Sequence, residues 1–537
     1  MLLKAFMAAP RRDRPMSEGA DRPKVTITPE HTKVTSGTEV QEKLIVAARV
    51  FSDLLKPTFG PRGLDKMLYK TDGTTAVSND GAKIVAELLV RHPAAKMMVS
   101  MANSQEEDCG DGVTTTMLIC GSLLIEANTL LRKGLHPLTL IDGYALALAA
   151  AREQMDADSR EPDERSLAAV AETALRGKGV EAALDHFSPM IVEALSIVSE
   201  NREGASAEHV AMHKTGTGSL RDSRLVRGII VNRRVIMDDL PNDLSDTKIA
   251  CLDGNLKIRE LTRDVEIKIT NAGELDSFIE AEKEHRGEIA QNIIDSGAGA
   301  VLCSGEIDRD ILHRLADSGI LAVGELDSSE IRNASEALGA RIVDSPLDLE
   351  ETDLGRCGHL TWERRQASDS VEDVIRIEGC PNPAIVTIEV GGAGETGTEE
   401  AIRGLHDSLR ATSLALDEEL LPGAGSIHAR MAHSVRSASQ AQGGRERLAM
   451  EAFARALETI PATLAENGGN DPLDCVLELR ASARGGEAPV GISPDGKTWQ
   501  VDGVWHPRSV IENSLVSASE TAMSMLRIDQ VISARGD

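Results

Sequence analysis

The chain is 537 residues long, with 41% apolar residues, only 2% aromatic residues and a formal net charge of −28. That length exceeds what one hydrophobic core supports, so two to four domains are expected, with cores of Ala, Val, Leu, Ile and Met. So acidic a surface repels a phosphate backbone and argues against general nucleic-acid binding.

The first residues, MLLKAFMAAPRRDRP, lack the apolar centre of a secretory signal. They read as a disordered tail over residues 1–35, with Met16 an alternative start to Met1. From Thr38 to Phe59 apolar residues recur three and four apart, the spacing of a helix. A Gly/Pro turn follows, FGPRGLD. DGTTAVSNDGAKIVAELL then reads as a hairpin-like strand pair, a tight turn at Asn79-Asp80-Gly81 and a helix. Ala94 to Met101 reads as helix, and EEDCGDGVTTTMLICGSLLIEANTLL as a loop opening a long apolar helix. Another helix is expected from Pro137 to Met155.

The middle of the chain changes character. VRGIIVNRRVI, TKIACLDG, VEIKIT, GAVLCSG, GILAVGEL and ARIVD are short β-branched runs, with helical stretches at Glu274–Ser296 and Ile307–Ser318 between them. Such alternation predicts an α/β domain. After PAIVTIEV the helical pattern returns and holds to the end, apart from a hairpin expected around Pro489 to Val504. The simplest architecture is a mostly helical domain built from both chain ends, with an α/β domain inserted between. The seven cysteines are scattered with no CxxC pair, against both a disulfide framework and a zinc knuckle, and are expected reduced and mostly buried. No apolar run reads as long enough to cross a membrane.

The strongest chemical signal is GDGVTTT, Gly110 to Thr116, at the start of a long helix. Its glycines let backbone approach a ligand, and a helix N-terminus offers free amides to phosphate. Thr114 and Thr115 add hydroxyls, and Asp111 can hold a Mg²⁺ that touches phosphate. A Thr-capped turn is the plain alternative, and the motif alone leaves both open. TFGPRG (Thr58–Gly63) is a second Gly-rich turn, NDGAK places Asp80 before a helix, and Asp407 sits in LHDSL. Asp111, Asp80 and Asp407 could serve phosphoryl transfer to water if the fold unites them; for Asp407 alone, a solvated helix face is the plain alternative. GAGETG, Gly392 to Gly397, spells a dinucleotide fingerprint, but the following long helix runs into LLPGAG instead of a second strand ending in an acid, so a nicotinamide reading is set aside. No GxxxxGK[ST] motif is present, which excludes an ordinary P-loop ATPase.

Taken in order, TFGPRGLDKML, SNDGAKIV, HPAAKMMVSMANSQEEDCGDGVTTT, ALRGKG, RLVRGIIVNRRV, LHDSL, LLPGAGS, ETIPATLAENGGNDPLDCVLELR and SASETAMSMLRIDQVI resemble the group II chaperonins, the family of archaeal thermosomes and the eukaryotic cytosolic chaperonin. The resemblance runs from about Gly37 to Ala534. It implies a cytoplasmic ATP-dependent chaperone subunit, using ATP and Mg²⁺, that joins sister subunits in a homo- or hetero-oligomeric double ring around unfolded protein clients. It implies no nucleic-acid or membrane partner.

The implied fold is multi-domain α and α/β. A mostly helical equatorial ATPase domain would hold residues 36–165 and 421–537, and a small intermediate domain 166–232 and 386–420. An inserted α/β apical domain would hold 233–385, with a helical protrusion serving as a built-in lid near Gly273 to Asp295. Leu275, Phe278, Ile279, Ile289 and Ile293 give that protrusion its apolar spacing, some of them packing on the sheet.

By motif, the resemblance implies that Gly60 and Pro61 approach the nucleotide and Asp111 holds Mg²⁺. Gly112, Val113, Thr114 and Thr115 would hold phosphates; if only the backbone amide of Val113 is used, little is lost there. Asp80 and Asp407 would position the attacking water, Lys178 sense the terminal phosphate, and Gly423 and Gly425 lie against base and ribose. Several positions depart from the family pattern: Val113 for Thr, Ala424 for the middle Gly of three, Gly391 for Arg, His506 for an acid at the ribose and Ser493 for another acid. Loss of a hydrogen bond to a charged acceptor costs ~1.5–3 kcal/mol, or about tenfold to a hundredfold in affinity. The expectation is a divergent subunit with weaker ATP binding and surviving hydrolysis; the alternative is a weakly active or inactive structural subunit of a mixed ring. The dispersed negative charge and the excess of Arg over Lys also suggest a salt-rich, halophilic cytosol.

Overall fold

The computed structural model describes residues 33–36, 38–69, 73, 75–90, 92–237, 240–257, 272–366, 371–381, 383–392, 394–485 and 488–533. Most of the tail expected over residues 1–35 lies outside these, as does the run VEIKIT. Lys33–Ser36, partly within that expected tail, is instead a strand paired antiparallel with Gln530–Ser533.

Three main hydrophobic cores organise the chain. The first unites both ends: helices Thr38–Leu55, Pro93–Cys109, Val113–Arg132 and Pro137–Asp158 pack with Ser426–Gln440, Glu446–Leu457 and Arg508–Leu526. On Thr38–Leu55, Val40, Leu44, Ala48, Phe51 and Leu55 are buried at helical spacing while Val46 and Val50 face out. Pro93 and Pro137 open their helices at the position that needs no amide, and His92 and His136 cap them by accepting from Ala94 N at 3.3 Å and Leu138 N at 3.2 Å. With few aromatic rings available, Tyr144 and Phe453 meet edge-to-face at 5.6 Å, and the Tyr144 hydroxyl donates to Leu123 O at 2.7 Å.

The second core surrounds a seven-stranded mixed sheet. Its order is Gly228–Asn232, Val371–Glu378, Gly355–Gln366, Asp243–Leu252, Ala300–Cys303, Leu321–Val323, with Ile342–Val343 also paired to Asp243–Leu252. The last three strands of that path run parallel, as expected of strands joined by helices. The helix Ala272–Asp295 buries Ile289 and Ile293 against this sheet. Those two residues of the expected protrusion therefore belong to the core; the side chains of Leu275, Phe278 and Ile279 lie outside the description. The strands Gly355–Gln366 and Val371–Glu378 were not anticipated.

The third core lies between the other two. A three-stranded sheet, order Val210–Lys214, Val386–Val390, Arg224–Val226, packs on helices Glu164–Leu175, Leu184–Asn201 and Glu395–Asp417.

Three further expectations are corrected. The hairpin pairs Lys66–Tyr69 with Thr75–Ser78, so its first strand precedes the segment in which both were sought. The helix expected at Ala94–Met101 extends from Pro93 to Cys109 and absorbs the supposed loop residues EEDC, leaving a turn of three residues before Val113. The helix Val113–Arg132 is long and apolar enough to cross a membrane, contrary to the reading of the sequence, but Met117 to Leu124 are all buried in the first core. All seven cysteines are buried and free of disulfides.

Candidate functional site

One cleft of about 420 Å³ opens between the first and third cores, and every candidate residue lines it: Gly60, Pro61, Asp80, Asp111, Gly112, Val113, Thr114, Thr115, Lys178, Asp407, Gly423, Gly425 and His506. Ala424 lines it as well; Ser493 does not, and its amide instead closes the hairpin turn by donating to Lys497 O at 2.8 Å.

The floor is the turn before the long helix. Gly110 ends one helix at φ 66° and Gly112 starts the next at φ 87°, left-handed conformations that suit glycine. The turn aims the free amides of Val113, Thr114 and Thr115 and the positive end of a twenty-residue helix into the cleft. Asp111 Oδ1 accepts from Gly112 N at 2.8 Å, and Gln105 Nε2 donates to Asp111 O at 2.8 Å, which fixes the acid at the mouth of this amide nest. Asp80 caps the short helix Gly81–Ala86, accepting from Ala82 N at 2.9 Å and Lys83 N at 3.4 Å. Gly81 packs on Thr114 so closely that a Cβ there would lie 2.3 Å from Thr114 Oγ1.

The opposite wall comes from the third core. Lys178 Nζ donates to Asp407 Oδ2 at 2.7 Å, both side chains being largely buried. Asn79 Nδ2 donates to Gly177 O, which ties the Lys178 loop to the turn bearing Asp80. Burial lifts the Asp407 carboxyl to about 6, with the Asp80 carboxylate adding to the rise and Lys178 only partly opposing it. Burial alone would depress Lys178, yet the carboxylates of Asp407, Asp111 and Asp80 hold it above the ordinary lysine range. Glu106, a cleft residue absent from the sequence reading, is pushed to about 7 by burial and by Asp407 and Asp80, with Arg410 opposing.

The far end of the cleft is built by Leu420–Pro422 pairing with Trp505–Pro507. Gly423 has no room for a side chain: a Cβ would lie 2.7 Å from Val504 and 3.0 Å from the His506 ring. Ala424 holds φ 55°, a left-handed conformation that costs a non-glycine residue ~1–2 kcal/mol. His506 is pushed down by burial, with Asp111 opposing. His428 is fully buried behind it, lowered to about 3 by burial and by His506, and among the described residues neither of its ring nitrogens finds a partner. His428 and Trp499 also line the cleft and were not anticipated.

Hard carboxylate oxygens, free amides and a lysine form a donor set for a phosphate–Mg²⁺ pair. Among the described residues no three acids, histidines or cysteines stand close enough to hold a metal by themselves. That fits Mg²⁺, which is usually bound by one or two carboxylates with phosphate oxygens and waters completing its shell. GAGETG begins after the strand Val386–Val390 and leads into the helix Glu395–Asp417, but that strand belongs to a sheet of three, and none of its glycines lines the cleft.

The family model described as the TCP-1/cpn60 chaperonin family matches residues 51–536. The chain is 38% identical over 525 residues to a thermosome subunit of Methanopyrus kandleri, covering 96% of each. It is 37% identical to thermosome subunit alpha of Archaeoglobus fulgidus, covering 95% of each. It is 35% identical to thermosome subunit alpha of Halobacterium salinarum, covering 94% of this chain and 90% of that one.

Proposed function

The chain belongs to the TCP-1/cpn60 chaperonin family, and we propose that it is an ATP-hydrolysing chaperone subunit that assembles with sister subunits into a double ring around unfolded protein. The observation that carries this reading is the convergence of Asp80, Asp111, Asp407, Lys178 and the N-terminus of Val113–Arg132 on one cleft. In this reading residues 36–165 and 421–537 form the equatorial domain, 166–232 and 386–420 the intermediate domain, and 233–385 the apical domain that meets clients. The site of action is cytoplasmic.

The amides and hydroxyls of Thr114 and Thr115 would bind the β- and γ-phosphates, and Gly60, Pro61, Gly423 and Gly425 would let the nucleoside lie against backbone. Asp111 would hold Mg²⁺, which when bound neutralises charge developing on the phosphate oxygens. Asp407 and Asp80, as acceptors, would orient a water for attack on the γ-phosphate and receive its proton. Lys178 would bind the terminal phosphate and hold Asp407 in place. Asp80 and Asp111 ride on the first core, Asp407 and Lys178 on the third, so a nucleotide touching both favours the closed arrangement of the two bodies. Differential contact of this kind can shift a conformational equilibrium by a few kcal/mol.

A second reading has its own observation. Ala424 at φ 55° and His506 alter the nucleoside end, while the carboxylates are intact. A subunit that binds ATP weakly and serves mainly to complete a mixed ring would show this pattern. We also propose that the net charge of −28 suits a salt-rich cytosol. The experiment that tests the proposed function measures Mg²⁺-dependent phosphate release by the purified protein, alongside ring particles in electron micrographs. Rings with phosphate release support the active subunit; rings without it support the structural one; neither contradicts both.

A further inference from the structure

The helix Glu395–Asp417 carries Asp407 into the cleft and Arg410 three residues later, outside the cleft lining. Arg410 reaches across to the other body. Its Nη1 donates to Glu106 O at 3.0 Å and lies 3.6 Å from the Glu106 carboxylate. Glu106 O also accepts from Gly110 N at 2.9 Å, the bond that closes the helix Pro93–Cys109. Arg410 therefore grips the carbonyl from which the chain turns toward Asp111. The C-terminal end of a helix carries partial negative charge, so a guanidinium is well placed there.

This grip requires glycine at position 110. A Cβ on Gly110 would lie 2.3 Å from Arg410 Cδ and 2.9 Å from Arg410 Cβ, so the arginine stem rests directly on the turn. The same helix is held a second time, on the other side of Asp407: Ser78 Oγ donates to Glu400 Oε1 at 3.0 Å, and Lys83 Nζ lies 3.9 Å from Glu400 Oε2. Asp407 thus sits between two pins, one to the turn bearing Asp80 and one to the turn bearing Asp111.

We propose that Arg410 is a positioning residue for hydrolysis: through Glu106 and Gly110 it sets the spacing between Asp407 and the Asp111 turn, without touching nucleotide. The proposal rests on the ATPase reading above. The ion pair itself contributes little to stability, since the Arg410 and Glu106 side chains are 33% and 34% exposed. Its consequence falls on turnover, where a misplacement of about 1 Å can cost ~100-fold.

The test measures kcat, KM and melting temperature on the full chain for Arg410→Met, Arg410→Lys, Gly110→Ala and the double variant Gly110→Ala/Arg410→Ala, with Asp407→Ala as control. Arg410→Met is expected to lose about tenfold to a hundredfold in kcat with KM and melting temperature little changed. Arg410→Lys, which keeps a donor for the carbonyl, recovers most of that loss. Gly110→Ala, which also strains a left-handed turn, falls at least as far as Arg410→Met in kcat, and adding Arg410→Ala to it costs no more, because the methyl group already displaces the arginine. Full turnover in Arg410→Met with none in Asp407→Ala overturns this proposal and leaves the ATPase reading standing. A parallel fall in kcat and melting temperature that Arg410→Lys does not recover also overturns it, marking a structural role. No turnover in the unaltered protein, or full turnover in Asp407→Ala, overturns the reading and the proposal with it.

Discussion

Gly81→Ala is the sharpest probe of how the two turns of the phosphate end are fitted together. Gly81 opens the helix Gly81–Ala86, so alanine suits its backbone, and any effect arises from the added methyl. That methyl would lie 2.3 Å from Thr114 Oγ1, while Thr114 N and Cβ stay at 3.3 and 3.4 Å. The least costly relief is rotation of the Thr114 side chain, which swings its hydroxyl away from its present place. If that hydroxyl binds phosphate, the loss is one hydrogen bond to a charged acceptor, ~1.5–3 kcal/mol or about tenfold to a hundredfold in affinity. Calorimetric titration with Mg-ATP measures it. In a Thr114→Ala background there is no hydroxyl to displace, so Gly81→Ala should then change affinity by less than about twofold. Wild-type affinity in Gly81→Ala, or losses that simply add in the double variant, would refute the reasoning.

Three other outcomes follow from the same structure. Glu106, lifted to about 7 from 4.5, holds its proton more tightly folded than unfolded between those values, so its contribution to stability is complete below pH 4.5 and lost as pH rises to about 7. Glu106→Gln should therefore raise the melting temperature of the nucleotide-free protein above neutral pH and flatten its dependence over that window. Arg376, 9% exposed, pairs at 2.8 Å with Glu389, 6% exposed, and joins the seven-stranded sheet to the three-stranded one. Arg376→Met should cost ~3 kcal/mol, the low end for a broken buried pair because Arg224 remains 2.8 Å from Glu389, and should speed amide exchange in Val386–Val390. With a net charge of −28, melting temperature should climb with potassium chloride as the Debye length shrinks from ~10 Å at 0.1 M to ~3 Å at 1 M; a flat profile would remove the halophilic reading.

The cleft was legible because its backbone chemistry leaves marks in the sequence. Gly110 and Gly112 occupy left-handed turns that favour glycine, and the acids beside them stand in short motifs. Glu106, Arg410, His428 and Trp499 left no such mark. Glu106 sat in what read as a loop, because the end of Pro93–Cys109 is too polar to look helical; packing against the third core makes it a cleft residue. His428 lies in the first turn of an ordinary helix, and its place beside His506 follows from strand pairing between Leu420–Pro422 and Trp505–Pro507. The strand Gly355–Gln366 escaped notice because it ends in ERRQ, and its pairing on both sides, with Val371–Glu378 and Asp243–Leu252, supplies what its composition lacks. The hairpin was misplaced for a related reason: Met67 and Tyr69 are exposed and Leu68 is only partly buried, so no fully buried face marks its first strand.

The central claim is that Asp407 acts on the water that cleaves ATP. Phosphate release from Mg-ATP by the purified protein in high potassium chloride, beside Asp407→Ala, tests it most directly. The account predicts steady release that falls by about a thousandfold in the variant while ATP binding persists, the scale of losing a group that acts only in the transition state. Equal release from both proteins would contradict it.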